Sequence, residues 1–92
     1  MIKSFRHKGL ERLFLHGVAK GVDARLVDKL RRMIARLNDG PLPTAMQLPG
    51  YKLHELKGAR KGTWAAWVTG NVRLTFTIEG EDAANVDLED YH

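Results

Sequence analysis

Val72, Leu74, Phe76 and Ile78 alternate with Arg73, Thr75 and Thr77. A period of two puts alternate side chains on opposite faces of a strand, so one face here is wholly apolar and the other polar. The apolar face must be covered, and that need constrains everything else in the chain. Gly70-Asn71 immediately before the run supplies a two-residue hairpin turn, so Trp64 to Thr69 pairs with it as an antiparallel strand. Gly80-Glu81-Asp82 makes the next turn, and Ala84, Val86 and Leu88 alternate inward on a further strand. Upstream, Tyr51 to Leu56 reads as a strand and Gly58 to Gly62 as a basic loop. The second half of the chain is a meander with one side to bury.

The first half provides the cover. Leu26, Val27, Leu30, Met33, Ile34 and Leu37 recur at helical spacing, an amphipathic stripe that Asp23 can cap and that Asn38-Asp39-Gly40 ends. His7 to His16 carries Leu10, Leu13 and Phe14 at the same spacing and stops at Gly17. Gly17 to Val22 is a loop. Met1 to Phe5 alternates weakly and reads as a short strand, with Ile2 or Phe5 tucked under the sheet. Pro41, Pro43 and Pro49 fall within Gly40 to Gly50, a connector rather than a domain boundary, because the chain beyond it is too short to fold alone. With 92 residues, 43% of them apolar, the chain suffices for one core. The expectation is a single α+β domain over residues 1–92, with two N-terminal helices packed on one face of a twisted, mainly antiparallel sheet.

Charge is distributed unevenly. Up to Gly62 there are fourteen Lys and Arg against five Asp and Glu, or +9; from Thr63 onward Arg73 faces six acids, or −5. A basic chain with pI near 9.7 suits a polyanionic partner such as nucleic acid. Arg25, Lys29, Arg31, Arg32 and Arg36 lie on the outer side of the second helix, where a solvated face and a contact with RNA backbone or a partner protein are both open. The chain has no cysteine, which excludes a disulfide framework and a thiolate metal site and suits a reducing compartment. No run approaches the ~20 apolar residues of a membrane span, and the N-terminus lacks an apolar signal core, so the expected location is the cytoplasm.

The candidate chemistry gathers around the sheet. Arg73 is the one cation in an acidic third of the chain. It can pair across strands with Asp87 or Glu89, or offer its planar donors to a phosphate. His54, Lys57, Arg60 and Lys61 form a cationic run at the end of the first meander strand. Strict alternation would put His54 and Lys57 on opposite faces; a bulge or strand end near Gly58 would bring them together. Asp90-Tyr91-His92 follows the last strand, which would hold these residues against the sheet. Two imidazoles flanking a phosphate suit general acid–base cleavage of RNA, because histidine, with an unperturbed pKa of ~6.5, can give or take a proton near neutrality. His7 and His16 earn no role, and scattered histidines make a weak metal site.

Several segments together resemble a known family. Met1-Ile2-Lys3-Ser4-Phe5, Tyr51-Lys52-Leu53-His54-Glu55-Leu56-Lys57-Gly58, Asn71-Val72-Arg73-Leu74-Thr75-Phe76 and the closing Asp90-Tyr91-His92 are similar, in order and length, to the HigB killer toxins of the RelE superfamily. The resemblance implies a toxin of a toxin–antitoxin pair, a ribosome-dependent endoribonuclease that enters the A site of the 70S ribosome and cuts translated mRNA. It also implies the RelE-like fold of helices on a twisted antiparallel sheet. His54, Lys57, Asp90, Tyr91 and His92 would then form the catalytic group. Arg73 and Asn71 would line it, and Arg60 and Lys61 would meet RNA phosphate. Lys57 and Arg73 would stabilise charge on the phosphate. His54 and His92 are the acid–base pair in either order, Asp90 would orient an imidazole, and Tyr91 would stack on a base or bond a phosphate. The scheme needs no metal or other cofactor. A small helix-turn-helix antitoxin of the HigA type would neutralise the toxin and, with it, bind operator DNA. The other reading is a non-catalytic module acting only in that regulation. Family members commonly carry a tryptophan just before the strand arginine; this chain has Val72 there and Trp64 and Trp67 on the adjoining strand.

Overall fold

The computed structural model describes residues 1–90, so Tyr91 and His92 lie outside it. Helix α1 spans Lys8–His16 and α2 spans Val27–Asp39. The strands are β1 (His54–Glu55), β2 (Thr63–Trp67), β3 (Val72–Glu79) and β4 (Asp82–Asp90), hydrogen-bonded antiparallel in the order β1-β2-β3-β4. This is the α+β arrangement the apolar periodicities require.

Each helix is bounded by local chemistry. At α1 the His7 ring accepts a hydrogen bond through Nδ1 from the Leu10 amide at 3.1 Å. Gly17 closes it at φ 68, where its N–H donates to the Leu13 carbonyl. Asp23 acts as the expected cap, but one turn earlier than an α-helix start. It caps a 3-10 turn over Ala24–Leu26 that runs into α2, accepting from the Arg25 amide at 2.9 Å.

The helices cover one face of the sheet. Leu10, Leu13, Leu30, Met33, Ile34 and Leu37 pack with Ala66, Val68, Leu74, Phe76, Ala83 and Val86 into one buried cluster. Burying a side chain such as Phe76 contributes about 1.5–3 kcal/mol. Met46, in a 3-10 turn at Thr44–Met46, is also fully buried, so the proline-rich connector adds to the core.

Three details of the sheet depart from the sequence expectation. The stretch Tyr51 to Leu56 is a regular strand only at His54–Glu55. The Trp67 N–H still donates to the Tyr51 carbonyl, and Leu56 N–H to Thr63, but Lys52 between them sits at φ 46 and breaks the run. The β2–β3 turn is longer than Gly70-Asn71. Val68 and Thr69 both donate to the Val72 carbonyl, and Thr69 Oγ1 accepts from the Asn71 and Val72 amides. In β4 a bulge at Asn85, φ 54, shifts the pairing between Thr75 and Thr77. Ala83 therefore takes the helix-side position expected of Ala84, which instead pairs with Thr77.

Met1 to Phe5 lies parallel to the outer edge of β4, bridged at Ile2–Ala83 and Phe5–Val86 rather than as a full strand. Lys3 donates to the Ala83 carbonyl at 2.7 Å and Val86 to the Ser4 carbonyl at 3.1 Å. That edge is covered, while β1 at the other side carries His54 on an exposed border.

Candidate functional site

Directly paired residues of antiparallel strands share a face. Trp67 pairs with Arg73 and Arg73 with Glu89; Ala65 pairs with His54 and Thr75, and Thr75 with Asp87. His54, Trp67, Arg73, Thr75, Asp87 and Glu89 thus project from the face away from the helices. Val72 pairs with Asp90, and Leu74 with Leu88, on the helix side.

Arg73 is stacked rather than extended. Its Cζ lies 4.2 Å from the centroid of the Trp67 ring, and Nη1 donates to the Thr69 and Gly70 carbonyls at 3.1 and 3.0 Å. Lys52 Nζ lies 4.1 Å from the same ring. The indole thus gathers two cations on the open face. Trp67 supplies the aromatic wall beside Arg73, while Val72 faces the helices and packs against the core.

His54 is exposed at the sheet edge, with Nδ1 2.9 Å from the Lys52 carbonyl oxygen. A carbonyl only accepts, so Nδ1 carries the proton and Nε2 is the nitrogen turned to other partners. Past β1, Gly58 at φ 69 turns the chain into a short 3-10 turn, Gly58–Arg60. Lys57 and Lys61 border an open depression here with Glu55, Leu56 and Gly58, and His54 is not among its lining residues. Gly62 N–H donates to Glu55 Oε2 at 3.0 Å and closes the loop.

Arg60 reaches from that loop across β2 and β3 to β4. Nη1 donates to Glu89 Oε1 at 2.8 Å and Nη2 to Oε2, while Thr75 Oγ1 donates to Oε2 at 2.7 Å. Glu89, one of the two ion-pair partners that the sequence offered to Arg73 beside Asp87, is thereby engaged by Arg60. Thr63, Thr75, Thr77, Asn85, Asp87 and Arg6 complete a small polar hollow around this pair.

Asn71 and Asp90 come together elsewhere. Both line a groove of about 540 Å³ with Asp23, Arg25, Leu26, Thr69 and Val72, between the hairpin tip and the start of α2. Asp23 there holds Arg25 through Oδ2 at 2.8 Å, and these bonds keep its carboxyl down at about 2 from the ordinary 3.8. Lys29, read from sequence with the outer basic face of α2, turns inward instead. It donates to the Val68 carbonyl at 2.6 Å and ties the helix to the hairpin.

Apart from Arg60, which is held by Glu89, the described candidates fall into three sets: His54 with the Trp67–Arg73 stack on the open face, Lys57 and Lys61 on the loop, and Asn71 with Asp90 by the groove. Trp67, Thr75 and Glu89 carried no catalytic or binding role in the sequence reading. Their signal lies in register, which places Trp67 and Glu89 on either side of Arg73 and Thr75 opposite Ala65, the partner of His54. Among the described residues no group of three His, Cys, Asp or Glu side chains could hold a metal ion.

Comparison with known proteins agrees with this outline. A family model described as the RelE-like toxin of type II toxin-antitoxin system HigB matches residues 3–92. The chain is 42% identical over 92 residues, the full length of both chains, to endoribonuclease HigB of Proteus vulgaris. Among solved structures it superposes on YafQ of E. coli with a TM-score of 0.66 at 17% identity, covering 98% of this chain and 93% of that one. The YoeB–YefM complex of Staphylococcus aureus gives 0.64 at 14% identity, over 100% and 98% of the chains. The YoeB/ParE toxin of Agrobacterium tumefaciens gives 0.61 at 19%, over 100% and 99%. These three likenesses concern the fold.

Proposed function

From a chain that belongs to the HigB-like family of RelE-like toxins, we propose an endoribonuclease that cuts translated mRNA in the A site of the 70S ribosome. The observation that carries this reading is identity of 42% along the whole length of a protein named as an endoribonuclease. The open sheet face adds support: an exposed imidazole and a stacked guanidinium project from it, and a lysine-bearing loop joins β1 to β2.

Cleavage needs a base for the 2′-hydroxyl, an acid for the departing 5′-oxygen, and cations for the charge that builds on phosphorus. His54 presents Nε2 because Lys52 holds Nδ1–H. In the proposed scheme one of His54 and His92 takes the 2′-hydroxyl proton, and the 2′-oxygen attacks phosphorus. The P–O5′ bond breaks, and the other imidazole protonates the leaving oxygen, giving a 2′,3′-cyclic phosphate and a 5′-hydroxyl. Lys57 and Arg73 offset the developing negative charge, with Asn71 and Lys61 beside the strand of RNA. Asp90 orients an imidazole and Tyr91 stacks or bonds to phosphate. Among the described residues no helix is long and apolar enough to cross a membrane; the proposed place of action is the cytoplasm. The proposed regulator is a helix-turn-helix antitoxin of the HigA type, which with the toxin binds operator DNA.

Mapping of mRNA 5′ ends after brief induction tests the reading. Wild type should generate new ends inside translated codons, and His92→Ala and Arg73→Ala should each abolish them while remaining folded. Intact mRNA with the wild-type chain would overturn the enzyme and leave regulation through an antitoxin as the function.

A further inference from the structure

We propose that Glu89 is a positioning residue: its carboxylate holds Arg60 and so fixes the cationic loop 57–62 over the open sheet face. Arg60 then acts as the loop's anchor instead of meeting phosphate itself. The inference rests on the endonuclease reading for its catalytic readout, but not for its structural one.

Arg60 and Glu89 are 29 residues apart, and their bond spans from the β1–β2 loop to the far strand of the sheet. It is a fork, with each terminal nitrogen on a different carboxylate oxygen. Exposed single-point ion pairs contribute little, but a bidentate guanidinium–carboxylate pair fixes orientation as well as distance. Glu89 is itself immobilised. Its side chain is only 20% exposed, and it accepts from Thr75, which is 2% exposed in the middle of β3. The anchor point belongs to the rigid sheet.

The loop needs such an anchor. Gly58 at φ 69 and Gly62 at φ 97 flank it, and a Cβ at either would meet nothing within 4 Å, so packing does not hold its ends. Two hydrogen bonds within and beside it are short-range: Lys61 N–H to the Gly58 carbonyl and Gly62 N–H to Glu55. These two bonds shape the loop locally, whereas the Arg60–Glu89 pair ties it to β4. Lys57, proposed to stabilise the phosphate, is the residue before Gly58 and moves with it. A catalytic cation displaced by about 1 Å can cost on the order of 100-fold in rate.

A double-mutant cycle distinguishes anchor from phosphate ligand. Arg60→Ala and Glu89→Ala are each expected to lower kcat for ribosome-bound mRNA by about tenfold or more, with KM little changed and the double variant no worse than either single. Glu89→Gln keeps the size and the acceptor for Thr75, so it serves if Glu89→Ala unfolds. Amide exchange at Lys61 and Gly62 should quicken in the same variants, a readout that needs no RNA. Full or raised activity in Glu89→Gln beside loss in Arg60→Ala would make Arg60 a phosphate ligand and overturn the proposal. So would unchanged exchange at those amides. A wild type that cuts no mRNA would overturn the endonuclease reading instead, and exchange would still decide the anchor.

Discussion

Trp67 owes its place beside Arg73 to the length of one turn. A two-residue turn at Gly70-Asn71 would pair Trp67 with Leu74 and bury it. The observed turn pairs Val68 with Val72 and sends Trp67 to the open face. A one-residue change of register exchanges the faces of a strand. Coupling between Trp67 and Arg73, measured by a thermal-unfolding cycle of Trp67→Leu and Arg73→Met, is expected at about 0.5–1 kcal/mol; additivity would show the stack to be idle. Asp23 gives a pH prediction. Its folded pKa, about 2, lies below the ordinary 3.8. Its contribution to stability is therefore present above 3.8 and lost as pH falls from there toward 2. Asp23→Asn should flatten the acid limb of stability in that window, and an unchanged acid limb would count against the cap.

At the scale of elements, the apolar periods were sufficient guides to α1, α2 and β3, because burial of one face is the dominant requirement of each. They were poor guides to irregularities. Lys52 and Asn85 both take positive φ without being glycine, and nothing in their neighbours' hydrophobicity marks them. At Asn85 the left-handed residue creates the bulge that turns Ala83 and Val86 into the core. Asparagine tolerates this conformation, whereas a β-branched residue does not. Asn85→Val is expected to destabilise by about 1–2 kcal/mol in denaturant unfolding while Asn85→Gly stays near wild type; equal stability of the two would remove the bulge from the account of β4.

For the whole molecule, the N-terminal segment closes the sheet's edge from the far end of the chain. Ala83 and Val86 donate to the carbonyls of Met1 and Ser4, and Lys3 donates back to Ala83. A chain lacking residues 1–5 should exchange the Ala83 and Val86 amides faster and lose more than about 3 kcal/mol, since these three edge hydrogen bonds contribute about 1 kcal/mol each and the packing of Ile2 and Phe5 on the core goes with them; native protection of both amides would show the segment to be dispensable.

The layered fold, the helix limits near Gly17 and Gly40, the basic first half and the family likeness were all legible along the chain, since periodicity, capping and composition are local properties. The candidate residues were legible too, through short motifs. Which of them meet was not. Arg60 meets Glu89, Lys29 meets Val68, Trp67 meets Arg73, and Asn71 and Asp90 line one groove, all through strand register, bulges and turn length. Those are set by closing the sheet against the helices, so only the tertiary structure decided them.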